Sequence, residues 1–210
     1  MRHEHSAIDT ARRVLAARLV PLVLAYRLTD RRDLIDADVE RWQEVYRRSE
    51  RGTTALLRCL GESSHEFRNL FYHRLRHGNL AGMVAGQLLR LVYRQEATLH
   101  LSTPEIGPGL FIQHGFATIV AAKSVGANCW INQQVTVGFK ASGTGELLDP
   151  PVIGDDVTVA AGAIVLGPIK VGDGATVGAN AVVVADVPPG EVAVGIPARN
   201  RSAGVHARNL

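Results

Sequence analysis

The chain has little of what marks several common classes of protein. Its two cysteines among 210 residues, Cys59 and Cys129, are too few and too far apart for a disulfide framework. A reducing, cytoplasmic setting is therefore expected, with Cys129 a buried thiol rather than a nucleophile. Aromatics make up only 5% and the net charge is a mild +3; no basic run is interleaved with aromatics and no zinc-finger spacing occurs. Nucleic acid is excluded as a partner on that pattern, while a polyanionic ligand such as a coenzyme phosphate remains compatible with it. No apolar run is long enough to span a bilayer, because the richest one is broken by Arg18 and Pro21, and no small-residue cleavage site follows it. Contact with a membrane surface is not expected.

What is plentiful is aliphatic residues and glycine at a fixed step. Ile153, Val159, Val165, Val171, Val177 and Val183 recur every six positions, and a second beat runs through Val157, Ala163, Ile169, Ala175, Ala181 and Val187. Neither a helix nor an alternating strand gives this period. The step begins at Ile106 and Ile112, slips by one residue, and resumes at Ile119, Val125, Ile131 and Val137. Six residues cannot bury an apolar face alone, so such units coil and stack as short parallel strands about 4.8 Å apart, with glycine at tight corners. Pro188-Pro189-Gly190 is expected to stop the coil, since prolines supply no ladder donor.

Two interruptions stand out. The slip follows His114, read as the only histidine of the coil, and a break in a strict repeat is where a side chain can be re-aimed. Beyond Val137 the beat is lost until Val152, and the Gly-rich segment from Gly138 suits a flap over a ligand.

The segment before the coil reads as helical. A helix is expected over Ser6–Tyr26, a charged exposed one over Asp33–Arg48 carrying Trp42 and Tyr46, a polar break near Arg51-Gly52-Thr53, and a helix opened by a capping box of Ser63 and Glu66. Another is expected over Leu80–Tyr93. His65, His73 and His77 lie at helical spacing without a carboxylate or cysteine among them, which reads as a solvated polar face rather than a metal site. The domain reading is 1–98 helical, 99–200 coil with a loop over 138–152, and 201–210 a loosely ordered tail.

Ile106-Gly107-Pro108-Gly109-Leu110-Phe111-Ile112-Gln113-His114-Gly115 and the closing Gly195-Ile196-Pro197-Ala198-Arg199 resemble the serine O-acetyltransferase branch of the hexapeptide-repeat acyltransferases, including its polysaccharide-associated members. The resemblance implies an α+β chain: helices, then a left-handed parallel β-helix of about four turns. It also implies acetyl-coenzyme A as donor, no metal, and a homotrimer or dimer of trimers. His114 becomes the general base; Gly138, Ala161, Gly162, Ala179, Asn180 and Arg199 line the coenzyme; and Gln113 and Asp149 face the acceptor.

Two departures bear on that acceptor. Asp149-Pro150-Pro151 stands where the family has an Arg-His-Pro element, and Leu99 where it has the acidic partner of the histidine. The expectation is thus transfer to a sugar hydroxyl or another small alcohol, with L-serine as the alternative and Glu96, Glu105 or a carbonyl orienting His114. A non-catalytic scaffold would share the packing without needing His114, and a metal-dependent hydratase would need ligands that the coil lacks.

Overall fold

A computed structural model describes residues 17–61 and 65–202, which fall into two units divided between Gln95 and Glu96. The helical unit contains α1 (Val20–Leu28), α2 (Arg32–Val45), α3 (Gly52–Gly61), α4 (Glu66–Arg76) and α5 (Leu80–Leu89). Most of the expected Ser6–Tyr26 helix lies outside the described residues, as does Ser63 of the expected capping box. Glu66 is the first residue of α4, and His65 occupies the cap, so Glu66 does not hold the third position that such a box requires.

The amphipathicity of α2 is stronger than its charge suggests. Ile35, Val39 and Trp42 are buried, Trp42 meets Phe67 edge to face at 5.2 Å, and the buried Asp38 accepts from Arg74 at 2.9 Å. His73 is likewise buried, its ring 4.3 Å from that of His77, which corrects the solvated-face reading. The break near Arg51 holds, but Gly52 and Thr53 already belong to α3.

Helix α5 inverts the usual pattern and is shorter than expected. Its buried residues are Gly82 and Gly86, where a Cβ would come within 3.0 Å of Thr29 and 3.1 Å of Leu75, while Leu80, Val84 and Leu88 face outward. Close approach through glycine sets the helix's orientation here, in place of leucine burial.

The second unit is a parallel β-helix of three faces, its short strands numbered along the chain. Face A stacks β1 (Leu99–Leu101), β4 (Thr118–Val120), β7 (Thr136–Gly138), β12 (Ile164–Leu166) and β15 (Val182–Val183). Face B stacks β2 (Glu105–Ile106), β5 (Ser124–Val125), β10 (Val152–Ile153) and β13 (Lys170–Val171). Face C stacks β3 (Phe111–Ile112), β6 (Trp130–Ile131), β11 (Thr158–Val159), β14 (Thr176–Val177) and β16 (Glu191–Val194).

There are five levels rather than four. A rung that the repeat pattern does not mark, β1, precedes Ile106, and β16 follows the prolines by pairing parallel with β14. Pro189 sits at a corner over Gly172, outside the ladder, so the coil passes it at the cost of a shortened turn. It then closes with β17 (Arg199–Ser202), antiparallel to β16. Arg201 and Ser202 therefore belong to the coil, and the rest of the expected tail lies outside the described residues.

From Ile153 to Val183 the first beat is buried throughout, and the second at every position but Ile169, which is half-buried beside Pro168. At the slip the expectation fails by one place: Ile119 is 43% exposed, and Val120 is the side chain in the core, in line with Val137, Val165 and Val183. The step from Ile112 to Val120 is thus eight residues and the next, to Val125, five. Two extra residues enter before β4, and one is taken back after it.

The inserted segment forms a hairpin. β8 (Lys140–Ala141) and β9 (Leu147–Leu148) pair antiparallel, with Ser142 N–H donating to Glu146 O at 2.7 Å.

Candidate active site

One corner of the prism, where face C turns into face A, gathers most of the expected site residues. Successive turns place Ala117, Gln134, Gly162 and Asn180 there, with φ of 51°, 58°, 71° and 57°. Each turn bends through a left-handed residue, and the Asn180 side chain lies so close over Gly162 that a Cβ on that glycine would be 2.2 Å from it. Ala161, Gly162, Ala179 and Asn180 therefore line one edge, with Gln113 and His114 at its first turn.

His114 has no counterpart in the other turns. It is exposed, and its φ of 52° makes a second left-handed residue in a corner that elsewhere needs one. A non-glycine residue held in that region costs on the order of 1–3 kcal/mol and persists only where its surroundings enforce it, and such positions cluster at functional sites.

The enforcing bonds can be followed atom by atom. Gln113 N–H donates to Ile131 O at 2.9 Å, Phe116 N–H to His114 O at 2.8 Å, and Gln134 N–H to Phe116 O at 3.1 Å. The buried Thr118 shares its hydroxyl proton between Phe116 O at 3.2 Å and Asn132 O at 3.3 Å. On the outer side, Ala117 N–H donates to Thr98 Oγ1 at 2.8 Å, and that hydroxyl donates to Glu96 Oε1 at 2.7 Å.

The Glu96 carboxylate thus engages Thr98, and no hydrogen bond to the His114 imidazole is formed among the described residues. Glu105 lies on the outer side of face B, paired with Ser124. Leu99 is buried, so the place of the family's acid is taken by a core side chain. The solitude of His114 also needs correcting, because the added first rung puts His100 in the coil, exposed and opposite Ile119.

The remaining expected residues lie elsewhere on the coil. Gly138 ends β7 at the opposite edge of face A, where a Cβ would meet nothing within 4 Å, and Asp149 is exposed on the returning leg of the hairpin. Arg199 is exposed on β17, at the end of face C. Within one chain, His114 and the hairpin leave opposite edges of the same face. Cys129 is inward-facing and donates its S–H to Gly154 O at 3.1 Å; burial pushes its thiol up to about 11, which keeps it protonated and unreactive near neutral pH. Among the described residues, no three His, Cys, Asp or Glu side chains are grouped to hold a metal ion.

Comparison with known proteins agrees with this architecture. The bacterial transferase hexapeptide (six repeats) family matches residues 150–185. A serine acetyltransferase of Staphylococcus aureus (strain Mu50 / ATCC 700699) is 44% identical over 94 residues, 44% of this chain and 43% of that protein. The match thus spans less than half the length of that relative. The apoenzyme of soybean serine acetyltransferase is 30% identical, with a TM-score of 0.55, over 81% of this chain and 69% of its own. The chain belongs to the serine acetyltransferase-like branch of the hexapeptide-repeat acyltransferases.

The coil of this hexapeptide-repeat protein is accordingly left-handed. A Neisseria gonorrhoeae serine acetyltransferase, solved in complex with serine, is 26% identical with a TM-score of 0.54 over 80% of this chain and 68% of that one. For a hexapeptide-repeat acyltransferase the residues easiest to overlook are Thr98 and Thr118. The cue for Thr118 is a hydroxyl where the stacked turns carry Leu99, Val135, Ala163 and Ala181; Thr98 has no such cue.

Proposed function

We propose that the protein is an acetyl-coenzyme A-dependent O-acetyltransferase of the serine acetyltransferase kind, with His114 as general base and L-serine as acceptor. The observation that carries this is His114 itself: an exposed imidazole on an extra left-handed residue, at the head of the edge formed by Ala161, Gly162, Ala179 and Asn180. An imidazole can take a proton and return it near neutral pH. The acceptor oxygen attacks the thioester carbonyl as His114 removes its proton; the C–S bond then breaks and the same proton passes to the coenzyme sulfur. The products are an O-acetyl ester and free coenzyme A. Backbone N–H groups near Gly138, above which space is open, suit the oxyanion.

Serine is favoured over a sugar by the relatives and by the charges of the hairpin. An amino acid presents a carboxylate and an ammonium, and the hairpin carries Lys140 in its first strand and Asp149 just after its second. Transfer to a sugar hydroxyl is the second reading, supported by Asp149-Pro150-Pro151 in place of the family's Arg-His-Pro.

The same geometry supports assembly as a homotrimer. The outer row of face A reads His100, Ile119, Thr136, Ile164 and Val182, without an acid, a lysine or an arginine, whereas that of face B carries Glu105 and Lys170. A coil packed along face A brings its hairpin toward its neighbour's His114, which a single chain does not do. Release of coenzyme A from acetyl-coenzyme A, measured with L-serine, homoserine and a panel of sugars and nucleotide sugars, tests both readings. Turnover of L-serine with a specificity constant above roughly 10⁴ M⁻¹s⁻¹ is expected. Selective turnover of a sugar instead would replace serine by the second reading.

A further inference from the structure

Thr98 stands at the start of the coil unit, ahead of the repeats, yet it holds the corner that carries His114. Its hydroxyl both accepts and donates: it accepts from Ala117 N–H at 2.8 Å and donates to Glu96 Oε1 at 2.7 Å. Its backbone is used as well, N–H donating to the same Glu96 oxygen at 3.0 Å and C=O accepting from Thr118 N–H at 3.1 Å. A carboxylate that takes both protons of one threonine fixes that hydroxyl's rotor and leaves its lone pairs facing Ala117. Ala117 is the second left-handed residue of the corner, and between it and His114 the chain makes only the tight turn closed by Phe116 N–H and His114 O. In the lower turns a single left-handed residue makes this bend, and none of them has a side-chain clamp of this kind among the described residues.

We propose that Thr98, locked by Glu96, is a positioning residue for His114, so that Glu96 serves the histidine through the backbone of its corner and not by direct contact. This rests on His114 being the general base. Leu99 occupies the place of the family's acid and is buried, so the carboxylate enters the histidine's surroundings three residues earlier and by another route. The bonds in a strained corner stabilise one arrangement of the imidazole relative to the coenzyme edge, and a displacement of about 1 Å in such a group can cost on the order of a hundredfold in rate.

Thr98→Val keeps the shape of the side chain and removes the hydroxyl. The expected result is a fall in kcat of about tenfold to a hundredfold, with KM for acetyl-coenzyme A within about twofold. Thr98→Ser restores most of the rate, and Glu96→Gln, which keeps an acceptor oxygen, lies between. Independently of activity, hydrogen exchange at the Ala117 amide is faster in Thr98→Val, and the His114 ring resonances shift, while amides of the later turns are unchanged. A Thr98→Val protein with wild-type kcat and an unchanged Ala117 amide overturns the proposal, as does a general loss of amide protection together with a rise in both KM values, the mark of a purely structural role. If the wild-type protein acetylates no acceptor, the functional reading falls by itself, and exchange at Ala117 with the His114 resonances then decides whether the clamp exists.

Discussion

The two halves of the coil have the same three faces and little else in common. From Val152 to Val183 successive strands pair at a constant step of 18 residues, as in Val152 with Lys170 and Thr158 with Thr176. The interior there is valine, isoleucine and alanine. From Leu99 to Gly138 the step is 19 residues from Leu99 to Thr118, then 17 from Ile119 to Thr136, and the interior admits the hydroxyls of Thr103 and Thr118. A repeat that stacks on itself has no freedom to aim a side chain, because each position is dictated by the turn above and below. The irregular half gives up that uniformity, and its two buried threonines bond the carbonyls that the uneven turns leave out of line: Thr103 Oγ1 to Val120 O at 3.1 Å, and Thr118 Oγ1 to Phe116 O at 3.2 Å. One half repeats a single packing solution; the other departs from it where the proposed base, His114, stands.

That division can be broken most sharply at His114. His114→Ala should reduce turnover at least about a hundredfold while leaving the thermal midpoint of the coil unchanged, since an exposed imidazole supports no packing. Steady-state kinetics beside a melting curve checks it; near-wild-type turnover would remove the base from the mechanism. The converse change lies in the regular half. Val159→Ala, at a fully buried position, should cost roughly 2 kcal/mol of stability and leave kcat within about threefold below the melting transition. Denaturant titration with an assay on the folded protein distinguishes this from a catalytic effect.

The smallest effect sharpens the comparison at one ladder position, which Cys129 holds in the irregular half and Val157 and Ala175 hold in the regular one. Burial raises the Cys129 thiol from 9.0 to about 11. Folding therefore favours the protonated form. The stability linked to this group is complete below pH 9, where both states bind the proton, and is lost as pH rises toward 11 because the unfolded chain ionises first. A loss of roughly 1 kcal/mol by pH 10 is expected, and Cys129→Ala should flatten the stability profile over that window.

Legibility in the sequence follows the same division. The inward beat of the regular half could be read directly, because a valine every six residues has one structural meaning. Ile119 was misplaced because Ile119 and Val120 are both aliphatic and adjacent; pairing of Thr118 with Leu99 decides between them, and a pairing partner nineteen residues away leaves no mark in local periodicity. The coil boundary at 99 includes Leu99-His100-Leu101, but that segment brings no glycine corner with it, so the repeat pattern first marks a rung at Ile106. In the helical unit the hydrophobic pattern misleads at α5, whose leucines face out because Gly82 and Gly86 permit a closer approach than any leucine would. Of the proposed site, the edge formed by Ala161, Gly162, Ala179 and Asn180 comes from the family resemblance, and His114 from that resemblance together with the slip. The role proposed for Thr98 was not legible, because it rests on two hydrogen bonds in different directions from a residue with no motif around it.

The last strand has a consequence for the coil as a material. A parallel β-helix ends in a rung whose N–H and C=O groups point along its axis, and an uncapped rung is a template on which another molecule can add, the route by which solenoids grow into fibres. At face C this chain turns β17 back antiparallel to β16, with all four of its residues exposed and Arg199 and Arg201 among them. An incoming rung would have to match a strand of reversed direction and approach two positive charges. Growth at this end is thereby opposed on face C.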